Sequence, residues 1–165
     1  MSGCSVTPLN NITFTEGGDL GHLDIYVGPI PEKQGVLLRQ HLEMHFTQGK
    51  RDKNSRYHLL VIFQDSERGI GISSKNTDSR KEIEGRASFR LLDHKAGVTV
   101  CQGSALLHGA YSVSGHTTFS AYATHIAQRD TKEKILAPLA EDIAHQIRVH
   151  FSHERSLTNV SDGVK

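Results

Sequence analysis

The chain contains 165 residues, of which 36% are hydrophobic, and its 19 Lys and Arg residues against 18 Asp and Glu residues give a formal net charge of +1 at pH 7. This length and composition predict about one globular domain with its own hydrophobic core. The near-neutral charge and the lack of long basic runs give no indication of nucleic-acid binding, and no apolar run approaches the roughly 20 residues of a membrane-spanning helix.

Residues 1–20 are polar and rich in turn residues, and we interpret them as a tether that leads to a folded domain. The tether contains Ser2-Gly3-Cys4, and two small residues before a cysteine are typical of the end of a bacterial lipoprotein signal, in which that cysteine carries the lipid. The apolar stretch of such a signal is not part of the sequence, so the motif is either the remainder of a trimmed signal or a chance match. The other cysteine, Cys101, falls in a predicted strand and is expected to be a small buried side chain.

The first two predicted elements are a short strand and a helix. His22–Val27 alternates polar and apolar residues, which predicts a strand. Pro31 followed by Glu32 is typical of a helix start, because proline is tolerated at the first helical position and a carboxylate there complements the helix dipole. The apolar spacing predicts that this helix continues to about Gln48 and that Gly49 ends it.

Three further strands are predicted in the middle of the chain. Tyr57–Gln64 is rich in aromatic and β-branched residues and predicts the second strand, whereas the glycines of Gly69–Ile72 leave open whether this strand continues past a bend. Ile83–Leu92 and Val98–Ala105 alternate on either side of a turn at Asp93–Gly97 and predict a long β-hairpin.

The last part of the chain predicts a long amphipathic helix. Helical periodicity begins at Phe119, and Asp130 with Glu133 three residues later resembles a helix-capping box. The apolar stripe of this helix comprises Ile135, Leu136, Leu139, Ala140, Ile143, Ile147 and Phe151. Pro138 is expected to kink or break the helix nearby, because it lacks a backbone N–H and crowds the preceding turn. Residues 152–165 are polar and predict a disordered tail.

The order strand, helix, strand, strand, strand, helix (β-α-β-β-β-α) predicts an α+β domain over residues 21–151. Each predicted helix has one apolar stripe and each strand has one apolar face. We therefore expect a two-layer sandwich, with two amphipathic helices packed on one face of a four-stranded β-sheet. The other face of the sheet is expected to remain open and polar.

No residue pattern argues for an enzyme. His41 and His45 are spaced like zinc ligands on a helix, but the protease motif needs Glu directly after the first His, and Leu42 stands there. No third ligand is identifiable, so we expect structural or solvent-facing histidines and no metal or other cofactor, with a zinc hydrolase as the alternative. Gly69-Ile70-Gly71 lacks the further glycine and the helix of a phosphate-binding loop and is typical of a bent strand.

The most suggestive polar cluster comprises Arg80, Lys81, Arg86 and Arg90. Arg80 and Lys81 lie in a polar loop that we predict between residue 73 and the hairpin, whereas Arg86 and Arg90 are four apart on a strand and project to one face. One interpretation is a solvated surface with cross-strand ion pairs. The other is a site for anionic head groups, because Arg and Lys bind phosphates through charge-assisted hydrogen bonds.

Taken in order, these segments resemble the lipopolysaccharide-assembly lipoprotein family LptE in its alphaproteobacterial form, over nearly the whole domain. The resemblance depends on the order and spacing of several short motifs, none of which is catalytic. These motifs are Ser2-Gly3-Cys4 with Pro8-Leu9, Arg80–Leu92 with its central Ala87-Ser88-Phe89-Arg90-Leu91, Gly103, Tyr111, Ala121-Tyr122-Ala123, Arg129-Asp130, Leu139-Ala140, Ile143 and Ile147.

The resemblance to LptE implies a lipoprotein anchored through Cys4 to the periplasmic leaflet of the outer membrane of a Gram-negative bacterium. It also implies that the domain plugs the LptD β-barrel and assists the delivery of lipopolysaccharide to the cell surface. A lipopolysaccharide-binding role would then fall on Arg80, Lys81, Arg86 and Arg90. The alternative is an auxiliary lipoprotein of an ABC-type lipid or solute export system.

Overall fold

The computed structural model of the chain describes residues 24–46, 53–72, 78–113 and 118–161. The elements in these ranges are β1 (Ile25–Val27), α1 (Glu32–Phe46), β2 (Tyr57–Ile72), β3 (Asp78–Asp93), β4 (Val98–Ser112), α2 (Thr118–Lys134) and α3 (Leu136–Ser161). The strands form one sheet in the order β1-β2-β3-β4, in which β1 is parallel to β2 and the other neighbours are antiparallel. The helices pack on one face of this sheet, which confirms the predicted two-layer α+β fold.

The second strand is longer than the sequence predicted. β1 begins at Ile25 and pairs with β2 through Ile25–Val27, and the predicted strand residues His22 and Leu23 lie outside the described residues. β2 continues to Ile72 with register shifts around Gly71, so the glycines bend this strand without ending it. The predicted tether with Cys4 and the predicted helix end at Gln48 and Gly49 lie outside the described residues.

The central hairpin extends beyond its predicted arms. Arg80 and Lys81 pair with Ser112 and Tyr111, so they belong to β3 and the prediction of a loop at these two residues is wrong. The physical reason is that ion pairs and hydrogen bonds support this end of the ladder, where the apolar alternation that marks the middle of the hairpin has ended.

The predicted second helix is present as α2 and α3, which are separated only at Ile135. Pro138 has no N–H to donate to the carbonyl oxygen of Lys134, and its ring crowds that turn, so the helix is interrupted there. The predicted break near Pro138 is therefore confirmed.

The helical region begins within one residue of the predicted Phe119, but the predicted cap and the C-terminal end differ from the structure. Asp130 lies inside α2, which begins at Thr118, and forms an ion pair with Lys134 at 2.7 Å. The prediction that Asp130 caps a helix is wrong, because the helical sequence continues upstream of it. α3 runs to Ser161, so the backbone is helical over most of the segment that we predicted as a tail.

The main core lies between the sheet and helices α1 and α3. It includes Ile25, Val27, Leu38, Leu42, Leu59, Val61, Ala87, Phe89, Leu91, Leu139, Ile143 and Ile147. Cys101, which was expected to be buried, is partly buried against this core. A smaller cluster of Ile83, Tyr111 and Ile135 lies beside α2. Among the described helices, none combines the length and apolarity needed to cross a bilayer.

We expect two adjacent leucines of β2 to respond very differently to truncation. Leu59 is fully buried, whereas Leu60 is 47% exposed on the opposite face of the strand. Leu59→Ala should lower the free energy of unfolding by about 2–5 kcal/mol, because it removes core contacts and leaves a cavity. Leu60→Ala should change it by no more than about 0.5 kcal/mol. Urea unfolding of both variants measures the difference, and similar losses in both would contradict the assignment of the two faces.

Candidate ligand-binding face

The sheet face opposite the helices, here called the open face, follows from the period of two along each strand. In β2 the buried residues Leu59 and Val61 alternate with Leu60 and Ile62, which therefore project to the open face. The register forms cross-strand rows on this face: Leu60 with Arg90 and Gln102, Ile62 with Ser88 and Ser104, Gln64 with Arg86 and Leu106, and Ser66 with Glu84 and His108.

The open face contains an apolar patch that the sequence analysis missed. The patch consists of Leu60, Ile62 and Leu106, which are between 47% and 66% exposed. The open face was expected to be polar, and these three apolar side chains depart from that expectation. The signal was present in β2, because the uninterrupted apolar run Leu59–Phe63 must place apolar side chains on both faces of a strand.

A shallow groove with a volume of about 520 Å³ lies over two of these rows. It is lined by Leu60, Ile62, Ser88, Phe89, Arg90, Gln102, Gly103 and Ser104. Its lining therefore combines aliphatic side chains, hydroxyl and amide groups, and one guanidinium group. Such a surface suits a ligand that carries both apolar and anionic parts, since aliphatic groups bury the former and Arg binds the latter.

The arginines of the open face differ in their partners. Arg86 forms an ion pair with Glu84 at 3.1 Å, so part of its charge is already neutralised. Arg90 is exposed and forms no ion pair with any of the described residues. Arg80 is exposed, and the alternation of β3 places it on the same face as Arg86. Arg90 is the arginine that lines the groove, where it lies opposite Leu60 in the strand register.

Lys81 lies on the other face of the sheet, so the four predicted cations do not form one cluster. Neighbouring residues of a strand point to opposite faces, which separates Lys81 from Arg80. Lys81 Nζ lies 2.8 Å from Glu67 Oε1, and Glu67 also accepts a hydrogen bond from Gln128 of α2. Lys81 therefore helps to hold α2 on the sheet.

The polar network around Glu67 shifts two pKa values. Partial burial would raise the pKa of Glu67, but hydrogen bonds from Lys81, Gln128 and Tyr111 outweigh it and hold this pKa below its ordinary value. Burial, together with the hydrogen bond to Glu67, raises the pKa of the Tyr111 phenol. This end of the helix-facing sheet surface is therefore joined to α2 by charged and polar groups.

His41 and His45 of α1 have the spacing of zinc ligands on a helix. Within the described ranges, no group of three or more His, Cys, Asp or Glu side chains is arranged to hold a metal ion. Partial burial, and then the charge of Arg148, lowers the pKa of His45. Arg148 also donates a hydrogen bond to the backbone oxygen of His45 at 3.4 Å, so this part of α1 contacts α3.

Comparisons with known proteins identify the fold. No family model matches the chain, and no curated protein matches its sequence significantly. Among solved structures, a candidate lipoprotein from Caulobacter crescentus is 24% identical with a TM-score of 0.61, and the match covers 81% of this chain and 94% of that one. Rare lipoprotein B from Shewanella oneidensis is 13% identical with a TM-score of 0.56, over 83% of this chain and 98% of that one. A minor lipoprotein from Acinetobacter baumannii is 16% identical with a TM-score of 0.54, and the match covers 77% of this chain and 92% of that one. The chain shares their fold.

We expect Glu67 to make the domain sensitive to acid. Its folded pKa lies below the unfolded value, so ionised Glu67 contributes stability that is present above the unfolded pKa and is lost as the pH falls through the folded pKa. Between about pH 6 and about pH 3, the free energy of unfolding should fall less in Glu67→Gln than in the wild-type chain.

Asp93 should supply the acid sensitivity that remains in Glu67→Gln. A hydrogen bond from the backbone N–H of Ala96, supported by Arg56, lowers the pKa of Asp93. Urea unfolding at a series of pH values measures both dependences, and equal slopes for the wild type and Glu67→Gln would contradict the role of Glu67.

Proposed function

We propose that this chain is an LptE-type outer-membrane lipoprotein that supports the transport and assembly of lipopolysaccharide. The observation that carries the proposal is the groove of the open face, where Leu60 and Ile62 of the apolar patch lie beside Arg90. Two further observations support it, namely the sequence resemblance to LptE and the fold shared with bacterial lipoproteins. The protein would act by binding and not by catalysis.

The lipid anchor would be attached to Cys4. A polar tether of about 20 residues lets a lipidated domain reach a neighbouring partner while its anchor stays in the membrane. Stable anchoring needs more than one acyl chain. A diacylglycerol group together with an amide-linked chain on Cys4 would meet this requirement.

The partner would be an LptD-type β-barrel, in whose lumen the domain sits as a plug. The lumen of an outer-membrane barrel is polar. Most side chains on the open face and on the outer sides of the helices are polar, so the domain is compatible with such a lumen.

The ligand would be lipopolysaccharide, which combines acyl chains with phosphorylated sugars. The apolar patch would contact the acyl chains, and Arg90, assisted by Arg86 and Arg80, would bind phosphate through charge-assisted hydrogen bonds. Lys81 would not contribute directly, because it faces α2 and pairs with Glu67.

We expect Arg90→Gln to weaken the binding of purified lipopolysaccharide by about ten- to 150-fold, because one charge-assisted hydrogen bond contributes roughly 1.5–3 kcal/mol. Arg129→Gln is a matched control with the same change of charge, since Arg129 is exposed on α2, in the helix layer. Fluorescence titration measures the affinity, and urea unfolding checks that stability changes little. Equal affinities of the two variants would reject Arg90 as a ligand-binding residue.

A second prediction concerns the anchor and the partner. Expressed behind a lipoprotein signal peptide, the wild-type chain should fractionate with the outer membrane and co-purify with an LptD-type barrel. Cys4→Ser should release it to the soluble fraction, because the acyl chains supply the membrane affinity. Recovery of an inner-membrane ATPase in place of the barrel would favour the export-system alternative.

A further inference from the structure

The groove of the open face borders a group of rings that the proposed function does not use. His58 lies on the open face, because it is two residues from Leu60 on β2 and therefore shares its side of the sheet. In the register, His58 lies between Tyr26 of β1 and Leu92 of β3. This row is next to the row of Leu60 and Arg90, so it adjoins the groove on the side of the β3–β4 turn.

The ring of His94 stacks on the ring of His58. Their centroids are 4.2 Å apart and their planes differ by 9°, and the ring of Tyr26 lies 5.2 Å from that of His58. His94 directly follows β3 and is exposed, whereas His58 and Tyr26 are half-buried. These contacts hold two imidazoles together at the end of the groove.

The imidazole pair has ring nitrogens that a ligand can bind. His58 Nε2 lies 3.1 Å from the backbone oxygen of Lys53 and donates to it, because a carbonyl oxygen can only accept. Nδ1 is therefore the atom of His58 that gains a proton in acid. Among the described residues, neither this atom nor the ring of His94 has a hydrogen-bond or ion-pair partner.

The charged groups around the pair leave it without a counter-charge. The carboxylates from the neighbouring elements are engaged elsewhere, since Asp93 pairs with Arg56, Glu43 pairs with Arg39, and Asp24 accepts a hydrogen bond from Ser55. The cations at this end of the sheet are Arg39, Lys53, Arg56, Arg90 and Lys95. Two imidazolium groups in contact repel each other, and an anionic group of a ligand would remove that repulsion.

We propose that His58 and His94 form a second anion-binding subsite of the groove, which binds when the imidazoles are protonated. The inference rests on the proposed function and narrows its ligand to an amphipathic molecule with two anionic groups. One group is bound by Arg90 and the other by the imidazole pair, since Arg90 and His94 are four residues apart, about 13 Å in an extended chain. Histidine changes its charge between about pH 5 and pH 8, so the affinity for such a ligand rises as the pH falls through this range.

The binding of lipid A in nonionic micelles tests the subsite. At about pH 5.5, the wild type should bind diphosphoryl lipid A at least about tenfold more tightly than monophosphoryl lipid A, because the second phosphate gains a charge-assisted hydrogen bond. This preference should be lost at about pH 7.5, and at both pH values in His58→Gln/His94→Gln. A wild-type preference that does not change with pH, or one that persists in His58→Gln/His94→Gln, would overturn the proposal.

A matched control is His125→Gln/His153→Gln, which removes two exposed histidines of the helix layer. It should keep the wild-type preference at both pH values. Because all variants are compared with the same lipids at the same pH, titration of the lipid phosphates cancels. Loss of the preference in this control as well would overturn the assignment to His58 and His94.

Imidazole titrations of the wild-type chain, followed by NMR, give a readout that does not depend on the folding of a variant. Diphosphoryl lipid A should raise the titration midpoints of His58 and His94, by about one pH unit in total for a tenfold gain in affinity on protonation. The midpoints of His125 and His153 should not move. Unchanged midpoints for His58 and His94 would overturn the proposal.

The outcomes separate this subsite from the function on which it rests. Weaker binding of Arg90→Gln, together with wild-type behaviour of His58→Gln/His94→Gln, would reject the second subsite and leave the proposed function standing. A wild-type chain that binds neither form of lipid A at either pH would reject both.

Discussion

The packing of α3 against the sheet is the interaction on which the rest of the structure depends. Its buried stripe, centred on Leu139, Ile143 and Ile147, covers the helix-facing side chains of β3 and β4 and continues onto α1. Because one helix layer covers one face, the period of two along the strands sends every second side chain to a surface that no described element covers. The open face is therefore a direct consequence of the two-layer architecture.

The composition of the open face gives the domain its proposed role. A sheet that only needed to be solvated would carry polar residues there, yet β2 places Leu60 and Ile62 next to Arg90 of β3. Exposed apolar side chains beside an arginine without an ion pair in the described ranges are compatible with an amphipathic anion. On the helix-facing side, by contrast, Lys81 is paired with Glu67 and serves the attachment of α2.

Much of the fold could be predicted from periodicity, because apolar stripes at helical spacing and alternation in strands reflect burial directly. The break before Pro138 was predictable from the missing N–H. The mid-helix position of Asp130 was not predictable, since a capping residue and an exposed acidic residue inside a helix look alike when the start of the helix is unknown.

The candidate site was predicted only in part. Arg86 and Arg90 share a face as expected, whereas the face that Lys81 occupies could be assigned only once the start of β3 was known. The exposure of Leu60 and Ile62 on the open face could be predicted only by recognising that an uninterrupted apolar run in β2 places side chains on both faces of the strand.

The claim that the open face is the ligand-binding surface is tested most directly by site-specific photo-crosslinking in cells. A photoreactive residue would be placed at Ile62 or Ser88 on the open face, and at the exposed residues Met44 of α1 or Tyr122 of α2 on the helix layer. Our account predicts lipopolysaccharide adducts from Ile62 and Ser88 and none from Met44 and Tyr122. Adducts from the helix layer alone, or none from the open face, would contradict it.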